Sequence, residues 1–291
     1  MPSAKRASAP SSYRRKGRPM FREDGSLPTI EPGDDFGACA EIIASEWEEE
    51  FAFFPFVDAD VVEEAALARF MPMGLHLETE SAKHDFLLPK LHLERCLLDP
   101  RTVRITKTAR RESRRYMLSV NRGFRNVLAS CERQHGSDWL VGDLVVSMIA
   151  LHEQRAVRRA GFISVELWLC KDDGPALVAG EIGYLIGSAY ASLTGYSVVS
   201  GAGTVQLAAL GRLLAAVGVK VWDLGMEIDY KIALGARILS RSRFMPILSR
   251  AYADTSRSGA LGLLGVSRLV PTRELIDGGG AAIGPSLEEP R

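Results

Sequence analysis

The sequence predicts an α/β protein, a mixed α+β sheet with helices on both faces, and three observations predict it. Residues 162–170 alternate along a strand, turn at Asp172-Asp173-Gly174 and return over 176–186, which is the pattern of an antiparallel hairpin. The glycine-rich loop Ser200-Gly201-Ala202-Gly203 opens an apolar helix over 204–217, ended by Gly218 and followed by a strand over 219–224. Between 102 and 252 strand and helix periods alternate without an internal repeat.

Taken in order, Glu31-Pro32-Gly33-Asp34-Asp35 precedes the aromatics Phe51, Phe53, Phe54 and Phe56, so order is expected from about Pro32. Asp58 or Asp60 caps a helix reaching Met71, with Val61, Val62, Ala65, Leu67 and Phe70 as its apolar positions. After a polar loop, 86–98 is an apolar run. A short strand is expected over 103–105, a basic helix over 106–115 and a strand over 116–120. Asn121 is expected to cap the helix carrying Phe124, Val127, Leu128 and Cys131. A helix over 143–153, the hairpin, and a third strand over 188–193 lead to the glycine-rich loop. A short helix over 229–234, an extended stretch over 236–240 and a helix over 244–252 complete the set. A hairpin joined to a strand–glycine loop–helix–strand unit resembles the N-acetyltransferase superfamily arrangement, although a fold does not fix a function.

Four segments follow: a disordered basic tail over 1–32, a small N-terminal domain over 33–100, an N-acetyltransferase-like catalytic domain over 101–255 and a largely disordered tail over 256–291. The first 22 residues hold no acid but carry Lys5, Arg6, Arg14, Arg15, Lys16, Arg18 and Arg22. They form a disordered arm or a mitochondrial transit signal, and Pro2, Pro10 and Pro19 favour the arm. Cys39, Cys96, Cys131 and Cys170 are widely spaced, without zinc-ligand or CxxC spacing, which indicates a reducing compartment and no metal. No apolar stretch is long enough to span a membrane. A net charge of zero gives no whole-molecule field toward nucleic acid, so any such partner must be met by a local cluster.

Glu181 is the only charged residue between Gly174 and Gly211. A carboxylate in apolar surroundings has its pKa raised, which suits a general base or acid; the bland alternative is an interior Glu paired with an arginine or turned to water. Asp223 ends the strand over 219–224, where ligands collect in α/β sheets, or else it binds the amides of its own turn. Glu166 shares a strand face with Ser164 and Trp168, a face that either lines a cleft or is solvated. Seven of the fifteen residues over 101–115 are basic. Lys107, Arg110, Arg111, Arg114 and Arg115 form a helical stripe that either grips phosphates or is a solvated face. His152 is expected to be a half-buried histidine. The glycine loop can bind an anion through its amides, but Val198 stands where coenzyme A enzymes carry Arg or Gln.

Together these residues resemble the leucyl/phenylalanyl-tRNA–protein transferases over roughly 102–248. The signposts are Asp138-Trp139-Leu140, Leu151-His152-Glu153, Ser164-Val165-Glu166-Leu167-Trp168 and Leu177-Val178-Ala179-Gly180, then Trp222-Asp223, Leu234-Gly235-Ala236, Arg241 and Phe244. Their order and spacing match a divergent or eukaryotic-type member, with longer loops over 153–161 and 196–203. The resemblance implies transfer of leucine or phenylalanine from aminoacyl-tRNA to the α-amine of proteins beginning with Arg or Lys, which marks them for degradation. It implies that no coenzyme A is used; the chain is expected to be a monomer without a cofactor, cytoplasmic or alternatively mitochondrial. It implies further that Glu181 and Asp223 are catalytic and that Trp139, Ile182 and Tyr190 line the aminoacyl pocket. Glu166 would meet the acceptor and the five-residue stripe would hold the tRNA. The chain departs from bacterial members at Leu193-Thr194-Gly195, where they carry Gly-Glu-Ser, and at Asp223-Leu224-Gly225, where they carry Asp-x-Gln. Glu181 replaces a methionine, and the expectation is that it takes over the missing carboxylate's role. The competing readings are a coenzyme A-dependent N-acyltransferase and a non-catalytic binder of tRNA or protein N-termini.

Overall fold

The structure is a computed structural model and describes residues 27–78, 83–254 and 267–278. In chain order its elements are α1 (Phe36–Glu46), α2 (Ala59–Leu67), β1 (Met71–Glu78), β2 (Lys83–Lys90), β3 (Glu94–Leu98), α3 (Lys107–Glu112) and β4 (Tyr116–Val120). Then come α4 (Phe124–His135), α5 (Gly142–Glu153), β5 (Gly161–Leu169), β6 (Ala176–Ile186), β7 (Ala189–Ser197), α6 (Ala202–Ala216) and β8 (Val221–Asp223). The chain continues through α7 (Asp229–Leu234), β9 (Arg237–Ser240), α8 (Arg241–Tyr252), β10 (Val270–Pro271) and α9 (Thr272–Gly278).

One sheet of eight strands runs β10-β4-β5-β6-β7-β8-β3-β9, and β1 and β2 form a separate hairpin. Every neighbouring pair is antiparallel except β7 and β8, so the sheet is mixed, as the sequence predicts. Both faces are covered. Phe124, Val127, Leu144, Met148, Phe244 and Leu248 from α4, α5 and α8 pack with α1 and α2 in one core cluster. Ala109, Val205, Ala209, Leu213 and Leu275 from α3, α6 and α9 pack on the other face. This is why β5 and β6 are apolar on both sides.

The N-terminal segment is joined to the rest by more than contact. β3 sits between β8 and β9, with Leu97 opposite Asp223 and Glu94 opposite Ser240. The Arg241 guanidinium donates to the carbonyls of His92, Ile43, Trp47, Glu49 and Leu91. A buried cation held only by carbonyls fixes the 43–49 connection against α8, because any carbonyl that left would strand part of the charge.

Several local expectations change. Order begins before Pro32: Thr29 bridges Phe53, and Ile30 is fully buried. The basic tail over 1–26 lies outside the described residues. Asp58 caps α2, accepting from the Val61 amide, but the helix stops at Leu67 because Arg69 turns into the left-handed region and Met71 begins β1. The stretch 103–105 is extended without joining the sheet; the Arg104 amide donates to the Leu234 carbonyl instead. Asn121 does not cap α4. It takes a positive φ of 62°, its Oδ1 accepts from the Ser164 amide, and Gly123 holds the cap position. Within the expected C-terminal tail, β10 pairs with β4, and the Thr272 hydroxyl that starts α9 donates to the Tyr116 carbonyl at 3.0 Å. Residues 256–266 and 279–291 lie outside the described set.

Candidate active site

β7 and β8 run side by side for three residues, Ala189–Ala191 against Val221–Asp223, and then part, β8 ending while β7 continues to Ser197. A cavity of about 910 Å³ opens at this seam. Its walls are the far half of β7, the loop over 198–204 with the first turns of α6, the turn after β8 with the start of α7, and the base of the β1–β2 hairpin. Met71, Met73, Trp139, Leu193, Leu207 and Leu224 make much of it apolar.

Glu181 is the cavity's only acid among the described residues. A β-bulge gives it its partners. Glu181 pairs with Gly195 and Ile182 with Thr194, but Gly183 pairs with Ser192, so Leu193 is an extra residue. With strict alternation Gly195 would share its face with Leu193 and Ala191. The bulge switches the parity and puts Ser192 and Tyr190 on the Glu181 face, the re-aiming that bulges provide. Gly183 makes room, since a Cβ there would lie 2.4 Å from the Tyr190 hydroxyl. The Tyr190 hydroxyl then donates to Glu181 Oε1 at 2.7 Å and the Ser192 hydroxyl to the same oxygen at 2.8 Å. Trp222 Nε1 donates to Ser192 Oγ at 2.9 Å and fixes the direction of that hydroxyl.

Burial raises the Glu181 carboxyl to about 7, against the opposing pull of the Tyr190 and Ser192 hydroxyls and the Lys231 charge. Lys231 lines the cavity, its own pKa lowered by burial, and it donates to the carbonyls of Leu224 and Met226, holding the turn after β8. Near neutrality Glu181 therefore exchanges a proton readily.

Of the residues singled out in the sequence, Trp139 lines the cavity with Glu181. Asp223 does not. It is fully buried, Oδ2 meets Arg95 Nη1 at 2.9 Å and Oδ1 accepts from the Gly225 amide at 2.9 Å, so it anchors the turn that forms one wall. Ile182 points to the opposite face, into the core with α4 and α5. Tyr190 lies beneath the cavity, behind Glu181, to which its hydroxyl donates. Glu166 is also on the α4 face. It accepts from the hydroxyls of Ser119 and Ser164 and from the amides of Arg122 and Gly123, and so serves as the negative cap of α4. His152 donates its Nδ1–H to the Phe162 carbonyl and stacks on Phe124, as a half-buried structural histidine does.

None of Lys107, Arg110, Arg111, Arg114 and Arg115 lines the cavity. They lie on and just after α3, which packs against α6. Arg110 pairs with Asp277, and Arg111 and Arg115 with Glu112, while Lys107 and Arg114 have no ion-pair partner among the described residues. Reading the sequence alone missed Arg95, Ser192, Gln206 and Lys231. Gln206, the one amide side chain of a mostly apolar helix, was the available signal.

Among the described residues no group of three His, Cys, Asp or Glu side chains converges as a metal site. Burial pushes the thiols of Cys39 and Cys131 up to about 12, which leaves them inert as nucleophiles. No described helix is long and apolar enough to cross a membrane.

The chain was compared with known proteins. The leucyl/phenylalanyl-tRNA protein transferase family profile matches residues 97–249, just over half of the chain. A leucyl/phenylalanyl-tRNA–protein transferase of Psychrobacter arcticus is 29% identical over 172 residues, covering 56% of this chain and 61% of that protein. The protein of the same name from Methylococcus capsulatus is 32% identical over 168 residues, covering 56% and 67%. The matched part thus spans about three fifths of the first relative's length. Among solved structures, the crystal structure of FemX superposes over 74% of this chain and 78% of its own, at 12% identity and a TM-score of 0.40. On the profile match across more than half its length, the chain belongs to the leucyl/phenylalanyl-tRNA protein transferase family.

Proposed function

We propose that this chain moves leucine or phenylalanine from an aminoacyl-tRNA to the α-amine of a protein that begins with Arg or Lys, marking that protein for degradation. One observation carries the reading: a largely apolar cavity at the β7–β8 seam whose only acid among the described residues, Glu181, has a pKa of about 7. An apolar side chain fits against Met71, Met73 and Leu207, and Trp139 offers a flat surface to the terminal base or the aminoacyl group. The relatives' names support the donor class. The cytoplasm and the mitochondrion both hold charged tRNA, and the reading places the protein in the cytoplasm, with the mitochondrion as the alternative.

The chemistry needs little assistance. An α-amine has a pKa near 7.7–8.0, so part of it is already nucleophilic, and the aminoacyl ester is activated. Holding amine and ester together supplies much of the acceleration. Glu181 then takes the proton that the amine loses on attack. Asp223 acts through the turn it anchors. Glu166 is spent capping α4, so we assign the acceptor's cation to Glu227 and Asp229, exposed on the turn after β8 and the start of α7, beside the cavity residues Met226, Ile228 and Tyr230. The stripe on α3, beside α6, supplies phosphate contacts chiefly through Lys107 and Arg114.

The test supplies leucine-charged tRNA with peptides beginning in Arg, Lys or Ala, with and without ribonuclease, and in parallel a coenzyme A thioester. Ribonuclease-sensitive leucylation of the Arg and Lys peptides is the expected result. Labelling only from the thioester, or none at all, rejects the proposal. Glu181→Gln should slow transfer at least about tenfold at pH 8. The ratio of wild-type to variant rate should rise with pH up to about 7 and then level as Glu181 becomes fully ionised; an unchanged rate removes Glu181 from the mechanism.

A further inference from the structure

Two polar groups in the cavity lack partners among the described residues. Both hydroxyl donors of Glu181 go to Oε1, so Oε2 has no hydrogen bond among the described residues. Gln206, in the second turn of α6, also lines the cavity, is only 3% exposed, and its side-chain amide bonds to none of the described residues. The fully buried, unpartnered side-chain polar atoms of the described residues are Arg212 Nε and the Tyr252 hydroxyl, so the Gln206 amide is not sealed in the core but open to the cavity. Such a group at a cavity wall is suited to a ligand.

The two groups share one side of the sheet. Glu181 lies opposite Val165, and Val165 and Tyr190 belong to the cluster that α6 covers with Val205, Ala208 and Ala209. Gln206 is buried on α6 between Val205 and Leu207. One wall therefore offers a carboxylate oxygen that accepts and the other an amide that donates. A carbonyl under attack by an amine needs both: a donor for the oxygen that gains charge and an acceptor for the proton that the nitrogen loses.

We propose that Gln206 is a second catalytic residue of this cavity, donating its side-chain N–H to the carbonyl oxygen of the aminoacyl ester while Glu181 Oε2 receives the amine proton. In the step, the amine nitrogen forms a bond to the ester carbon and the carbonyl electrons move to the oxygen facing Gln206. The tetrahedral intermediate collapses as the bond to the ribose oxygen breaks. The proton passes from Glu181 to that leaving oxygen, giving the amide product and a free ribose hydroxyl. Gln206 is neutral throughout, so its contribution does not follow pH, whereas that of Glu181 does.

This inference rests on the aminoacyl-transfer reading, and the experiment separates the two. Gln206→Met keeps the length and helix propensity of the side chain and removes its N–H. With full-length protein, leucine-charged tRNA and an Arg-initiated peptide, the variant should lose about 10²-fold in kcat, as the loss of one such donor does, with KM for the charged tRNA within about threefold. Its pH profile should keep the wild-type shape, and its melting temperature should stay within a few degrees. A variant kcat within about threefold of wild type overturns the assignment. A wild-type protein that transfers nothing refutes the functional reading instead, and binding of an amide-linked leucyl-adenosine then decides whether Gln206 meets the carbonyl. Tenfold weaker binding by Gln206→Met sustains it, and equal affinity overturns it.

Discussion

Replacing Glu181 by Gln should make the protein more stable at alkaline pH, by an amount the cavity itself sets. Burial raises the Glu181 carboxyl from 4.5 to about 7. At 1.36 kcal/mol per unit, that shift amounts to about 3 kcal/mol. The folded state holds the proton more tightly than the unfolded chain. The stability gained from this is therefore whole below pH 4.5 and is lost as the pH rises through about 7. Gln keeps the size of the side chain and an oxygen that accepts from Tyr190 and Ser192, but it has no charge to desolvate. Wild type and variant should match near pH 4.5, and the variant should gain with each unit, reaching about 3 kcal/mol by pH 8. Urea unfolding at pH 5, 6, 7 and 8 measures the gap. A gap that stays flat with pH, or one that favours wild type more at pH 8 than at pH 5, would show that Glu181 does not ionise in a desolvated site.

Asp223→Asn preserves shape but leaves Arg95 charged and fully buried, so it should cost about 3–5 kcal/mol in urea unfolding; a loss below about 1 kcal/mol would mean that water or another acid reaches Arg95. Replacing Lys107 and Arg114 together by Ala should flatten the salt dependence of tRNA affinity, by about 0.7–0.9 in the log–log slope for each phosphate that the variant no longer neutralises, and an unaltered slope would remove α3 from the interface.

Much of the frame is readable from period and punctuation. Residues 116–120 and 176–186 alternate or run apolar between turn signals, and β4 and β6 occupy those residues. Gly218 ends the helix that the glycine loop begins, and the 229–234 helix is α7. What stays hidden depends on distant partners. The bulge at Leu193 has no signature in an apolar strand, yet it decides that Ser192 and Tyr190, and not Ala191, face Glu181. Ile182 and Tyr190 look equivalent as greasy strand residues, but they belong to opposite faces. Glu166 and Asp223 pass for site acids until their donors are known, and those donors, the Gly123 amide and Arg95, lie 43 and 128 residues away in sequence. Arg95 sits in an apolar run that periodicity cannot type, because β3 becomes a strand only between β8 and β9.

The placement of β3 bears on how the molecule is made. A ribosome releases Glu94 long before Ser240, so β3 must wait, unpaired, until β8 and β9 have been synthesised. Long waits of that kind slow folding and leave a strand edge open to wrong partners or to chaperones. The same interleaving binds residues 94–98 to residues 237–240 in one sheet, and the cavity exists only once its lining as far as Lys231 has been made.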